Sequence, residues 1–362
     1  MDSYNVKSVD ERPVITKETK NRISVDYEGK MTVKERLMKK LKTSNTWIKV
    51  VINIFRFILM LGVSYVILFP FISKIAGSFM SREDVVDATV SLIPKNFTFE
   101  IYKYIALDNR YFEAFLNTLL LSVLCALIQT FVACLVGYGL AKFKFKGNKA
   151  VMIAVVVTMI IPHIALKNAM SMQFTSFDLF RVFAWNYEGP IQAIFGKTLQ
   201  LDQSYWPLVI LSAGGLAFKN GLYIYLMRQF FRGVPDELEE SAYVDGANTF
   251  RTFFQIIIPL SVPMMITIFL FSFSWQWSDT FYTRICYPSN VGSNVDMTYM
   301  MPDVVNIPLK VSQEYSSHAG WPLYKPMVLN TAGMMAISPL IILYLFCQRY
   351  LVQGIERSGL VG

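Results

Sequence analysis

Glu237-Leu-Glu-Glu-Ser-Ala-Tyr-Val-Asp-Gly-Ala247 is an acidic segment wedged between two membrane-length apolar runs. Pro235 can open a helix there, because its missing N–H is not needed in a first turn. Asp236, Glu237, Glu239 and Glu240 then set negative charge against the positive helix end. Ala242, Tyr243, Val244 and Ala247 supply an apolar stripe. Gly246 interrupts the helix and permits a sharp turn. A second short helical stretch is expected through Phe250, Phe253 and Phe254, with Pro259 at the entry to the next apolar run. The picture is two short helices in the interfacial plane, joined near Gly246. Anionic headgroups attract lysine and arginine, so an acidic face suits a soluble partner better than a lipid surface.

The rest of the chain is that of a multi-spanning membrane protein. Of its 362 residues, 54% are hydrophobic and 17% charged, with a mean hydropathy of +0.39. A soluble protein has about a quarter of its residues charged. The net charge of +8 does not form one basic surface, and much of it precedes the first apolar run. Nucleic-acid binding is therefore set aside. Cys125, Cys134, Cys286 and Cys347 show no metal-ligand spacing. The polar first 46 residues lack the apolar core of a cleavable signal and read as a cytoplasmic extension, partly helical near Val33 to Leu41.

Six apolar runs follow: between Arg56 and Lys74, then 114–141, 150–166, about 206–227, about 260–277, and between Lys325 and Arg349. Each is near the roughly 20 residues that a crossing helix needs. Lysines and arginines cluster before the first run, between the second and third, after the fourth and after the sixth. By the positive-inside rule both termini are cytoplasmic, and segments 75–113, 171–205 and 282–325 face outward. Phe174 to Trp185 is aromatic-rich and suits the interface; the segment from Pro288 to Trp321 suits packing over an external opening or touching an external partner. The runs are too long and too continuously apolar for barrel strands. The expected fold is all-α and transmembrane, with a helix between spans four and five.

Glu240-Ser241-Ala242, three residues, Gly246, nine residues, then Ile256, any residue, Ile258 and Pro259 resembles the signature of the permease subunits of binding-protein-dependent ABC importers. Asp245-Gly246-Ala247 is similar to the carbohydrate branch, of the second, maltose-type permease. Phe115-Leu-Asn-Thr-Leu119, Tyr138-Gly-Leu-Ala141 with Phe143 and Phe145-Lys-Gly147, and Tyr350-Leu-Val-Gln-Gly354 fit the same family. Ser241 stands where alanine is usual and Ile258 where leucine is usual.

The resemblance implies six helices with a cytoplasmic coupling helix, and a division into an N-terminal extension (1–49), a first helix with its outer segment (50–111), a permease core (112–350) and a cytoplasmic tail (351–362). It implies that Glu237, Glu240, Ser241, Ala242, Asp245, Gly246 and Pro259 couple the chain to an ATPase. It implies as partners a second homologous permease subunit, two cytoplasmic ATPase subunits that bind the ATP, an extracellular or periplasmic solute-binding protein, and the lipid of a bacterial cell membrane. The chain has no Gly-x-x-x-x-Gly-Lys-Ser/Thr loop of its own, so it is expected to be no enzyme and to hold no cofactor.

Candidate pathway residues are Lys219 and Asn220, which interrupt the fourth run, and Trp275 and Trp277 near the end of the fifth. A lysine within a span must snorkel, find a partner or face water. Tryptophan suits a sugar face and a membrane interface alike. Asn117 suits a bond to a neighbouring helix, and Pro162 a kink beside His163. No Asp or Glu falls within the six runs, which weakens a proton-coupled carrier. A permease for a peptide or polyamine, a secondary carrier and a membrane glycan enzyme are the alternatives.

Overall fold

The computed structural model describes residues 15–18, 24–27, 44–178, 190–201, 204–286, 299–318 and 320–357. The helix expected near Val33 to Leu41, most of the 174–185 stretch and much of the segment after Pro288 lie outside the described residues. The chain divides into two compact units, Met1–Ser73 and Lys74–Gly362.

The first unit contains a two-stranded antiparallel ladder, β1 (Ile15–Glu18) and β2 (Ser24–Tyr27), with Ile15 opposite Tyr27. It also holds most of α1 (Ser44–Ser78), whose long apolar side chains, such as Phe55, Met60 and Val66, are exposed. The ladder was not foreseen in the polar extension; apart from it, the described structure is helical.

The second unit runs through α2 (Arg82–Val86), α3 (Glu100–Asp108), α4 (Tyr111–Lys142), α5 (Asn148–Ile160) and, after a 3-10 turn at His163–Leu166, α6 (Lys167–Thr175). It continues with α7 (Pro190–Phe195), α8 (Trp206–Ala213), α9 (Asn220–Arg232) and α10 (Glu237–Val244). The last helices are α11 (Thr249–Trp277), α12 (Phe281–Cys286), α13 (Met301–Val304), α14 (Leu309–Tyr315) and α15 (Trp321–Arg357).

Among the described residues, four helices are long and apolar enough to cross a membrane: α1, α4, α11 and α15. A fifth crossing is possible by length if α5 and the helical stretch His163–Thr175 count as one, but the two are bent by 93°. Pro162 sits at this bend, where it cannot donate to the helical ladder. The run at 206–227, expected as one span, is instead broken into α8 and α9. The chain leaves α8 at Gly214, turns through Gly215 at φ +71°, and re-enters a helix after Lys219 at φ 63°. The apolar run carries on through Phe218 to the Lys219–Asn220 interruption, but a glycine and a lysine at positive φ are not helical geometry.

The second short helix expected after Gly246 is likewise not separate. Asn248 caps it by accepting from the Arg251 N–H at 2.8 Å, and the helix runs straight on into the fifth apolar run. A π turn at Phe253–Ile257 lies at the join, where the Ile258 N–H reaches back to Phe253 O. This widened turn immediately precedes Pro259, whose ring removes one ladder bond.

Helix α4 lies at the centre, packed against α9, α11 and α8, and α11 packs in turn against α15. Gly137 lets α4 and α9 approach: a Cβ there would lie 2.6 Å from Met227 Cβ. Gly221 does the same for α9 and α5, since a Cβ would stand 2.9 Å from Val155 O. Such close approach through small residues is how helices associate where lipid removes the usual hydrophobic drive. Polar links cross the buried interior. Gln129 of α4 donates to Ser212 Oγ of α8 at 3.2 Å and accepts from Ser272 Oγ of α11 at 2.8 Å. Outside the long helices, Asn109 Nδ2 donates to Val304 O and Asn306 O, which ties the 301–315 segment to the end of α3. Asn117, expected to bond a neighbouring helix, donates instead to Tyr299 O in an irregular segment.

Candidate functional site

Helix α10 is short and presents most of its length to solvent. Glu237, Leu238, Glu240, Ser241, Tyr243, Val244 and Asp245 are exposed, while Glu239 and Ala242 point inward. Spacing explains the division, since residues three apart share one helix face. The helix ends on a Schellman turn: the Ala247 N–H donates to Ala242 O at 2.9 Å and the Gly246 N–H to Tyr243 O at 3.0 Å. Gly246 sits at φ +81° with no atom within 4 Å of a built Cβ, so backbone conformation alone calls for glycine. Ser241 Oγ donates to Leu238 O at 3.1 Å, keeping this hydroxyl within its own helix. Pro259 is exposed near the start of the long α11 segment, well past the turn.

The inward residue Glu239 anchors α10 to α4. The Tyr138 hydroxyl donates to its Oε2 at 3.1 Å, and Lys142 Nζ lies 3.5 Å from its Oε1. Lys142 also donates to Val234 O at 2.7 Å and to Asp236 Oδ1 at 2.5 Å. The bond from Lys142, reinforced by its charge, holds the Asp236 carboxyl below its ordinary value. Around this clamp the Tyr138 ring packs against Phe143, Phe231 and Phe253, which belong to the α4 exit, α9 and α11. Four segments therefore converge where α10 joins the bundle. Sequence reasoning placed Glu239 among the helix-end acids but did not select it, and read Lys142 only as a topology signal. Its partner in the i, i+3 inward face, Ala242, was the available cue.

The pathway candidates separate. Trp275 lines a cavity of about 460 Å³ together with Phe218, Phe281, Tyr282, Gln276 and Asp279. Trp277, two residues on, is buried against Phe115 and Phe273, and its Nε1 donates to Ala336 O at 2.9 Å. It does not line the cavity. Successive positions two apart on a helix face nearly opposite sides. Lys219 and Asn220 line an adjoining cavity of about 350 Å³, which shares His163, Leu211, Ala217 and Tyr282 with the first. The Lys219 ammonium sits 4.9 Å from the Phe218 ring centre and 5.4 Å from that of Trp275. His163 Nδ1 and the Tyr282 hydroxyl share a hydrogen bond at the junction. His163, Phe218 and the local group Asp279, Phe281 and Tyr282 come from three distant segments, and no local spacing marks the three as neighbours.

Comparison with known proteins places the chain among transport permeases. A curated relative, the polygalacturonan/rhamnogalacturonan transport system permease protein YtcP of Bacillus subtilis (strain 168), is 28% identical over 85% of this chain and 97% of its own length. The galactooligosaccharides transport system permease protein GanQ of the same organism is 25% identical, over 85% of this chain and 95% of its own. The fold is shared with a chain in the crystal structure of a bacterial ABC transporter involved in import of the acidic polysaccharide alginate. The TM-score is 0.62 at 20% identity, covering 85% of this chain and 98% of that one. The family described as binding-protein-dependent transport system inner membrane component matches residues 129–357, which include the clamp residues, α10 and both cavities. The chain belongs to that family: it is a multi-span membrane permease component of a bacterial binding-protein-dependent transport system.

Proposed function

We propose that this chain is a permease subunit of an ATP-driven carbohydrate importer, passing an oligosaccharide from an external solute-binding protein toward the cytoplasm by alternating access. The observation that carries the reading is α10: an exposed acidic helix, closed by a glycine turn and clamped through Glu239 to Tyr138 and Lys142. Such an element can receive a displacement at its exposed face and deliver it to α4 and α11. The relatives with which the chain aligns over nearly their full length are named for oligosaccharide or polysaccharide transport. The cavity at Trp275 supports the same reading, since it offers aromatic faces for sugar rings beside polar groups for their hydroxyls.

In this reading the chain crosses the membrane six times. The broken stretches Asn148–Thr175 and Trp206–Arg232 count as one crossing each, and α10 lies between crossings four and five. Both termini are cytoplasmic, so residues 1–49 form an internal extension, 50–111 the first helix and its outer segment, 112–350 the core and 351–362 a cytoplasmic tail. Glu237, Glu240, Ser241, Asp245 and Gly246 face a cleft of a cytoplasmic ATPase; Ala242 packs inward, and Pro259 marks where the displacement enters α11. Two ATPases need two such helices, so a second, related permease completes the complex.

The test is reconstitution of the complex in liposomes with labelled oligosaccharide. Uptake that requires ATP, both ATPase subunits and the binding protein is expected. Uptake without the ATPases would identify a secondary carrier, chemical turnover by the purified chain an enzyme, and uptake confined to peptides or polyamines a different solute class.

A further inference from the structure

The break between α8 and α9 builds a site of its own. Lys219 takes a left-handed conformation that few residues other than glycine adopt readily, at φ 63°. This turns the chain so that the N-terminus of the 13-residue α9 opens on the 350 Å³ cavity. Asn220 is completely buried there, and neither its Nδ2 nor its Oδ1 has a hydrogen-bond partner among the described residues. Buried amides are nearly always bonded, so this pair leaves one donor and one acceptor unmet at the elbow. In the first turn the Asn220 N–H is taken by Ala217 O and the Tyr223 N–H by Lys219 O. Gly221 and Leu222 are also lining residues, and their N–H groups have no backbone acceptor among the described residues.

The charges around the cavity are of one sign. Its lining contains Lys219, Thr158, His163, Asn220 and Tyr282, and no carboxylate. No Asp or Glu of the described residues lies within ion-pair distance of Lys219, whose ammonium faces the Phe218 and Trp275 rings. Asp279, in the adjoining cavity, is already committed. Its Oδ1 accepts from the N–H groups of Phe281 and Tyr282, and its Oδ2 from Thr283 N and Oγ1.

We infer that the Lys219–Asn220 elbow is a carboxylate-binding subsite on the transport path, and that the saccharide carried bears uronic acid units. A lysine ammonium, an amide N–H and a helix N-terminus are donors suited to a carboxylate. The Asn220 Oδ1 needs a donor, which a sugar hydroxyl next to that carboxylate supplies. The aromatic cavity beyond Trp275 receives the neighbouring ring. This inference rests on the carbohydrate reading above.

The test uses the complete complex in liposomes with a panel of uronate di- and trisaccharides and their neutral methyl esters. The binding protein's own preference is common to wild type and variant, so it cancels from the change in the acid-to-ester uptake ratio. Lys219→Met is expected to lower that ratio about tenfold or more, the scale of one lost hydrogen bond to a charged group. Lys219→Arg keeps a cation and should retain the preference. Asn220→Asp adds a negative charge with almost no change of size and should lower the ratio at least as far. Loss of ester uptake together with acid uptake in Lys219→Met would not change the ratio and would overturn the subsite, as would an unchanged ratio in Asn220→Asp. If neutral saccharides alone enter the wild-type liposomes, the acidic assignment fails while the carbohydrate reading stands. If no saccharide enters at all, both fail.

Discussion

The Tyr138 hydroxyl donates to the Glu239 carboxylate at 3.1 Å, joining the end of the central helix α4 to the inward face of α10. Lys142, one turn further along α4, completes the contact by meeting Glu239, Asp236 and the Val234 carbonyl. The side chains of Lys142 and Glu239 are only 8% and 10% exposed, so their charges are little screened. These bonds tie α10 to the end of α4.

Glu239→Ala removes the acceptor of Tyr138 and one of two carboxylates at Lys142. A buried group left without its partner costs about 1–3 kcal/mol. The expected result is a lower melting temperature in detergent, with ATPase stimulation falling further than protein level. Glu239→Gln keeps an acceptor for Tyr138 and should lie between the two. The check is thermal unfolding and ATPase activity measured on the same preparations.

Gly246→Ala and Gly246→Val test the turn rather than packing, because no atom lies near the position a Cβ would take. A left-handed L-residue costs roughly 1–2 kcal/mol. Gly246→Asn, which tolerates this conformation, should transport best of the three and the β-branched Gly246→Val worst. Initial rates of uptake rank them. An order set by side-chain size alone, with asparagine below alanine, would contradict the turn geometry.

Gly137 and Gly139 form a matched pair two residues apart on α4. A Cβ at Gly137 would meet Met227 Cβ at 2.6 Å and Arg228 N at 3.0 Å, whereas none lies within 4 Å at Gly139. Gly137→Ala is expected to destabilise by about 1–3 kcal/mol through overpacking. Gly139→Ala should be neutral or slightly stabilising, since alanine is the better helix former. Thermal unfolding of the two variants decides this.

Much of this arrangement was legible in the order of residues, and the failures have physical causes. The Gly246 turn was read correctly, because a glycine after an acidic, helix-prone segment satisfies a local geometric need. The long helices α1, α4, α11 and α15 were legible from apolar length. The break at 214–219 was not, since a hydropathy run does not register that Gly215 and Lys219 take positive φ and leave helical geometry. Nor did composition reveal that the stretch after Asn248 continues into α11, because a π turn absorbs the disruption before Pro259. Among the four acids at 236–240, the i, i+3 spacing to Ala242 marks Glu239 as inward-facing, and tertiary contact with Tyr138 and Lys142 makes it the anchor. The cavity residues meet from segments far apart in the sequence, around Gln129, His163, Phe218 and Trp275, beyond the reach of any local pattern.

Trp275 lines the cavity proposed as a transport path, whereas Trp277 is buried in the scaffold. Trp275→Ala opens a half-exposed wall of the cavity and should reduce uptake severalfold while leaving the melting temperature nearly unchanged. Trp277→Ala empties a buried site and frees Ala336 O, at a cost of about 3–5 kcal/mol. Uptake and thermal unfolding measured on both variants should show opposite patterns.

The most direct measurement is ATP hydrolysis and oligosaccharide uptake by the reconstituted complex carrying Glu240→Lys. Glu240 is exposed on α10 and lies outside the Tyr138–Lys142 clamp, so the variant should fold and insert as wild type does. Reversing its charge on this exposed face is expected to abolish binding-protein-stimulated hydrolysis and uptake together, with the membrane level of the protein unchanged. Wild-type rates of both would show that no separate motor engages the chain through this helix.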